Sequence, residues 1–251
     1  SLAENAIYTS TVYDLAGRLC YAFTPRPLAH QNGQATLVAA AAAGARMRRL
    51  DAAGVSLAMR IAATLVLTPS YTGTVAGATA LNVAGGMSGF ACALAPELAL
   101  AGFEAREDAI EEALANLVGD GFRPDGLLDE LGTRWEITRN YFRQYACCNP
   151  IHPALDCLRE ALDALRPRPG DIERIDVATY RFAAVMRNPD PHNYFASKYS
   201  LPHAAATMVV KGNAGYGALD ESAVHDPAIA RMRHRVHVTE DLAMSAVAPR
   251  L

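Results

Sequence analysis

The sequence has 251 residues, of which 51% are hydrophobic and 20% are charged, and its formal net charge is −3. This balance excludes a chain that stays disordered, because the apolar residues are numerous enough to form a sizeable core. The small negative charge gives no basic surface, so a nucleic acid is not expected as a partner.

Five cysteines are present, without a CxxC pair: Cys20, Cys92, Cys147, Cys148 and Cys157. Free thiols are typical of a reducing compartment, so we predict a cytoplasmic protein. The neighbouring Cys147 and Cys148 point in different directions and make a poor chelate, so no metal site is predicted. No signal peptide is recognised.

The first half of the sequence indicates helices, at residues 35–50, 52–67, 81–95 and 107–117. The first of these is dense in alanine, a strong helix former, and its basic residues lie near the C-terminal end, where cations suit the helix dipole. Asp51 is the predicted N-cap of the second helix. A loop is expected at residues 72–80.

The longest apolar stretch covers residues 76–100 and contains a single acidic residue, Glu97. It is rich in glycine and alanine. We predict a buried helix, and not a membrane span, with Gly85, Gly86 and Gly89 allowing close contact with neighbouring helices.

The sequence changes character near residue 118, where the turn-rich segment GDGFRPDG begins. The later part alternates helices and strands, with a helix at 152–166, a strand at the start of 172–186, a buried helix ended by Gly212, and a strand around Val236–Val238. We therefore predict an α+β fold, with a helical domain over residues 1–136 and a smaller α+β domain over residues 137–251.

Two segments of this later part resemble motifs of the MmgE/PrpD family. They read LGTRWEITRNYFRQYACCNPIHPALDCLREAL and NPDPHNYFASKYSLPHAAATMVVKG. The family patterns are Lys-Pro-Tyr-Pro-Cys-Cys leading to Ile-His-Pro-Ala, and then Ala-Lys-Phe-Ser-Leu-Pro-Tyr. The upstream ATLVAAAAAGARMRRLDAAGVSLAMRIAA is similar to the family's core helices. The resemblance extends from about His30 to His237.

The resemblance implies a helical domain and an α+β lid, with the active site in the cleft between them. It also implies metal-free, cofactor-free chemistry on small di- or tricarboxylic acids, and a homodimer. The family includes 2-methylcitrate dehydratase, cis-aconitate decarboxylase and iminodisuccinate epimerase.

Five candidate site residues follow from matching the family motifs to the chemistry of elimination. Removing water from a β-hydroxy acid needs a base, an acid, and cations that hold the carboxylates. Histidine titrates near neutrality, and arginine binds a carboxylate through two parallel hydrogen bonds. The predicted catalytic residues are His30, His152 and His203, and the predicted substrate-binding residues are Arg143 and Lys198.

Each candidate also has a structural alternative. His30 is an ordinary loop histidine in that alternative, His152 caps or packs at a helix start, and His203 packs inside its helix instead of replacing the family's tyrosine. Arg143 then forms a surface ion pair. For Lys198, which occupies an inherited family position, a structural role is preferred: its ammonium lies at the edge of the cleft or binds a backbone carbonyl.

The sequence also departs from the family, since Ala76 and Arg143 stand where lysines are expected, and an N-terminal Asp- and His-containing segment and most of a C-terminal piece have no counterpart. We therefore expect a divergent lyase with an altered substrate. One alternative is a non-catalytic or half-site subunit, in a hetero-oligomer whose other chain supplies the missing helices. Another is an isomerase, epimerase, decarboxylase or cyclase on the same scaffold. The high ratio of arginine to lysine and the many alanines favour a bacterial source.

Overall fold

The computed structural model describes residues 2–248. Contacts divide these residues into two units: unit 1 comprises residues 2–71 and 80–141, and unit 2 comprises residues 72–79 and 142–248. The domain boundary predicted at 136/137 stays a prediction.

The first half of the chain is mainly helical. Its helices are α1 (Leu2–Ala22), α2 (Ala35–Met47), α3 (Ala52–Ala63), α4 (Tyr71–Val75), α5 (Val83–Leu100) and α6 (Ala109–Glu111), and a π-helical turn, Glu112–Leu117, follows α6. Strands β1 (Phe23–Pro25) and β2 (Gly119–Phe122) pair in antiparallel fashion. Four of these helical segments match the predicted ones, although α3 ends at Ala63, earlier than expected.

Helix α2 is the centre of unit 1, where it packs against α1, α3 and α5. Its run of alanines is almost wholly buried, because methyl side chains let three neighbouring helices approach closely. Asp51 caps α3 as predicted, accepting a hydrogen bond from the backbone nitrogen of Gly54 at 2.9 Å.

Helix α1, which the sequence analysis did not identify, carries a buried ion pair. Arg18 Nε lies 2.8 Å from Asp14 Oδ2, and both side chains are almost fully buried. The same guanidinium donates to the carbonyl oxygens of Leu127, Asp129 and Arg134. Because every bond needs both the charge and the planar shape of the group, this network fixes the loop after β2 onto α1.

The prediction for residues 81–95 was wrong about burial. Most of α5 is exposed or half-buried, and a Cβ at Gly85, Gly86 or Gly89 would meet nothing within 4 Å. The close contact lies elsewhere: a Cβ on Gly44 of α2 would overlap the backbone carbonyl oxygen of Cys92 in α5. The glycines of α5 thus leave an open face, and the glycine of α2 makes the tight crossing.

The segment Thr79–Leu100 is long and apolar enough to cross a membrane by length and composition, with a mean hydropathy of 1.4. One such segment is weak evidence, since core helices of soluble proteins pass the same test. Its main part, α5, packs against α2 and α3 within unit 1. The residues that the structure describes therefore provide no clear membrane span.

Unit 2 contains two helices of more than ten residues, several short helices and two strands. The elements are α7 (His152–Leu165), β3 (Ile175–Thr179), α8 (Arg181–Ala184), α9 (Tyr194–Ser197), α10 (Leu201–Lys211), α11 (Glu221–His225), α12 (Pro227–Arg233), β4 (Val236–Glu240) and α13 (Leu242–Val247). Strands β3 and β4 are parallel, with Ile175 opposite Val236 and Val177 opposite Val238. The α+β prediction is confirmed, and helices dominate.

Helix α10 is the buried centre of unit 2, as predicted. Gly212 ends it with a φ of 77°, the left-handed conformation that glycine adopts without a steric penalty. Its inner face contacts α7, α12 and β4. The apolar core here consists of Ala206, Val209, Ala223, Ile229 and Met232.

Candidate functional site

The segment before α7 carries Arg143 and the two adjacent cysteines. It has no regular structure up to a 3₁₀ turn at Asn149–Ile151, and two backbone hydrogen bonds hold it in place. The nitrogen of Ala146 donates to the oxygen of Ala214 at 3.0 Å, and that of Cys148 donates to the oxygen of Lys198 at 2.8 Å. The two family motifs therefore meet in unit 2 through their main chains.

Arg143 is exposed, and within the described part of unit 2 no carboxylate lies at ion-pair distance from it. Its charge acts on the groups around it. Burial raises the pKa of Cys147 to about 12 and that of Cys148 to about 11, and Arg143 opposes both shifts only in part. Both thiols therefore stay protonated at neutral pH, which excludes their service as thiolate nucleophiles there.

His152 is half-buried at the first position of α7. Its Nε2 lies 3.2 Å from the carbonyl oxygen of Cys147. Because a carbonyl only accepts, Nε2 carries the proton and Nδ1 keeps a lone pair. Burial lowers the pKa of His152, with Arg143 acting in the same direction, although the Cys147 carbonyl and Asp156 oppose the shift. The ring is therefore neutral at pH 7.

Tyr145 packs its ring against the His152 ring in a T-shaped arrangement, with 5.2 Å between centroids. Its hydroxyl donates to Asp156 Oδ1 at 2.7 Å. Arg159 binds the same carboxylate oxygen at 3.0 Å and lies over the Tyr145 ring. Burial, with help from Asp156, raises the pKa of Tyr145 to about 12, so the phenol remains a donor.

Lys198 follows α9 and is half-buried. Its Nζ lies 4.2 Å from the centroid of the Tyr194 ring, a cation–π contact, while its carbonyl accepts the Cys148 bond described above. Its charge opposes the raised pKa of Cys147. The neighbouring Tyr199 is held protonated, since burial raises its pKa to about 12.

His203 is fully buried in α10, and Arg233 of α12 is its main charged neighbour. Arg233 Nη1 lies 3.4 Å from His203 Nδ1, while His203 Nε2 and Arg233 Nε have no hydrogen-bond partner in the described structure. Burial lowers the pKa of His203 to about 4, and Arg233 and Lys211 add to the shift. The imidazole is neutral and removed from solvent.

His30 belongs to unit 1. Its ring stacks on Tyr71, with 5.6 Å between centroids, and its Nδ1 accepts a hydrogen bond from the backbone nitrogen of Asn32 at 3.3 Å. Burial lowers its pKa. The neutral ring therefore carries its proton on Nε2.

The structure brings some of the five candidates together. The charges of Arg143 and Lys198 both act on Cys147, whose carbonyl oxygen contacts His152, whereas the charged groups that act on His203 are Arg233 and Lys211. The catalytic and binding roles assigned to all five stay predictions. Ala76, at an expected lysine position, is exposed in the segment of unit 2 that follows α4.

The sequence analysis missed Tyr145, Asp156 and Arg233. The first two are eleven residues apart and meet only because α7 turns back beside the preceding segment. Tyr145 lies inside a motif that the sequence analysis identified, so its position could have been singled out. No pattern in the sequence indicated its contact with Asp156.

Within residues 2–248, no group of three or more His, Cys, Asp or Glu side chains is arranged to hold a metal ion. The candidate site therefore consists of one exposed guanidinium, one ammonium and neutral imidazole and phenol groups.

Comparison with known proteins agrees with the motifs. Residues 145–250 match the family model described as MmgE/PrpD C-terminal domain. A search of curated proteins found no match. The matched range contains α7 to α13 and both motif cysteines. Over this C-terminal region, the chain is similar to the MmgE/PrpD family, which supports the family predicted from its motifs.

Proposed function

We propose that this protein is a lyase that acts by acid–base chemistry on a small carboxylated metabolite, by dehydration or a related elimination. The observation that carries the proposal is the exposed guanidinium of Arg143, which has no carboxylate at ion-pair distance in the described part of unit 2 and whose charge helps to lower the pKa of His152. A cation beside a neutral base is the combination needed to remove a proton from the carbon next to a carboxylate.

In this proposal Arg143 binds a substrate carboxylate through two N–H groups, and it cannot act as a base because it stays protonated. His152 accepts the carbon-bound proton. Lys198 adds positive charge for a second carboxylate. The catalytic role of His203 stays a prediction, and its ring is fully buried. The catalytic role of His30 stays a prediction, and only its protonated form could give a proton to a leaving oxygen.

The test is turnover of 2-methylcitrate, citrate and cis-aconitate by the whole chain and by three variants. We expect Arg143→Gln to lower kcat/KM by at least about tenfold, because a charged hydrogen-bond pair to the substrate is lost, and Arg143→Lys to recover part of the activity. Arg168→Gln, which removes an exposed arginine paired with Asp171, is the matched control and should have no effect. Wild-type turnover that Arg143→Gln leaves unchanged would refute the assignment.

A second candidate function is a non-catalytic or half-site subunit, and Ala76 favours it. A methyl group cannot supply the charge or the proton that a lysine would bring to this position. This candidate predicts that the purified chain turns over none of the three acids and gains activity on addition of a second chain. Turnover by the chain alone would exclude it.

The assembly and the compartment are also part of the proposal. We propose a bacterial, cytoplasmic protein that forms a homodimer or a hetero-oligomer. All five cysteines are free, which supports a reducing compartment. The native mass, measured by light scattering on protein purified from its own cells, distinguishes the two assemblies from a monomer.

A further inference from the structure

The ring of His152 has contacts on two sides that restrict its rotation. The Cys147 carbonyl, 3.2 Å from Nε2, fixes which nitrogen holds the proton. The Tyr145 ring, perpendicular within 2° at an interplanar angle of 88°, blocks rotation of the imidazole plane. Together these contacts leave Nδ1 as the nitrogen with the lone pair.

Tyr145 is itself held in place. It is 6% exposed, and its hydroxyl donates to Asp156 in the second turn of α7. Asp156 is in turn bound by Arg159, which donates its other amine to Gln144 at 3.2 Å. These contacts end at Gln144, the residue next to Arg143. The same network therefore holds both the segment of Arg143, which we propose binds substrate, and His152, the proposed base.

We propose that Tyr145, held by Asp156, is a positioning residue that locks His152 in the Nε2–H form with Nδ1 as the proton acceptor of the site. The lock needs both parts, because the carbonyl selects the tautomer and the phenol ring holds the plane. This inference rests on the proposed function for its chemical use, but its geometry is testable without substrate.

Long-range ¹H–¹⁵N correlation spectra of the histidine rings test the lock directly. His152→Gln assigns the signal, and His237, which is exposed opposite Asp176, is the internal reference for an imidazole at the surface. We expect His152 to be wholly in the Nε2–H form at pH 8, with less averaging between tautomers than His237. In Tyr145→Leu the averaging should approach that of His237. Tyr145→Phe, which keeps the ring and loses the bond to Asp156, should lie between the two.

Two conservative changes are matched controls in the same unit. Tyr216→Phe removes the hydroxyl of an exposed tyrosine, and Asp163→Asn neutralises an exposed carboxylate of the same helix, α7. Neither should change the His152 signal. An Nδ1–H form in the wild type would overturn the proposal, and so would a folded Tyr145→Leu protein whose His152 signal is unchanged.

Turnover then separates this inference from the proposed function. Asp156 raises the pKa of His152, so Asp156→Asn should move the acidic limb of the kcat/KM profile to lower pH, whereas Asp163→Asn should not. Tyr145→Phe should lower kcat by about tenfold with little change in KM. A locked ring in a protein without turnover would overturn the proposed function alone, and an unlocked ring would overturn the positioning role whatever the activity.

Discussion

At the scale of single residues, the pair formed by His203 and Arg233 is the most unusual feature of unit 2. The two nitrogen groups face each other in the core, and the charge of Asp190 offsets only part of the effect that burial has on Arg233. Lys211, on the same helix as His203, adds a second positive charge in the vicinity. Protonating His203 in the folded state would therefore place a second charge next to a buried first one.

The pair predicts that unit 2 loses stability in mild acid. The pKa of His203 falls from its ordinary 6.5 to about 4 on folding, so the unfolded chain binds the proton first as the pH falls. The free energy of unfolding is highest above about pH 6.5 and falls progressively toward pH 4. Its loss between pH 7 and pH 5 is about 2 kcal/mol. Urea unfolding at several pH values measures this loss.

His203→Gln should flatten that pH dependence, since glutamine does not titrate, and His192→Gln, at an exposed histidine, should preserve it. If His203→Gln unfolds with the same dependence on pH as the wild type, the burial of a neutral imidazole does not control the acid stability of unit 2.

At the scale of elements, the crossing of α2 and α5 shows how much of the fold can be predicted from amino-acid composition. Alanine density correctly predicted α2, because helix propensity depends on local sequence. The glycines of α5 were expected at the contact, but glycine content alone does not say which helix face is buried. Gly44 makes the contact, but it is a single glycine in an alanine run, so composition did not predict its role.

Two glycine-to-alanine changes should have opposite effects on the stability of unit 1. Gly44→Ala should lower the free energy of unfolding by about 3 kcal/mol, because the new methyl group overlaps the main chain of α5. Gly89→Ala, on the open face of α5, should raise it by about 0.5–1 kcal/mol, since alanine loses less backbone entropy in a helix. Circular dichroism during denaturation measures both.

Equal effects of the two changes would contradict the helix crossing described here. The comparison is well matched, since both residues lie inside long helices of the same unit and receive the same single methyl group.

At the scale of the whole molecule, the family motifs predicted more of the fold than hydrophobic periodicity did. The α+β class was correctly predicted, and the family match over residues 145–250 covers the second motif and the later part of the first. Helix α1 and the pairing of β1 with β2 were not predicted. The hydrogen bonds from Arg18 to the carbonyls after β2 and the stacked rings of Phe23 and Phe122 join residues about a hundred positions apart, and no local pattern encodes such contacts.

The two units have separate hydrophobic cores, so we expect two unfolding transitions in scanning calorimetry. Gly44→Ala should lower the temperature of one transition. The shift from pH 7 to pH 5 should lower the other, through His203. A single transition that both changes move together would show that the units unfold as one cooperative body.

Unit 2 also takes in a short stretch from the middle of the chain, residues 72–79. Gly77, with a φ of 97°, lies against His192, Asn193 and Ala196, and its carbonyl accepts a bond from Asn193 Nδ2 at 3.1 Å. A gene fragment that starts after residue 141 therefore lacks residues 72–79, and it leaves exposed the surface of unit 2 that Gly77 covers. Dissection of this protein would need the eight-residue piece supplied as a peptide or spliced ahead of residue 142.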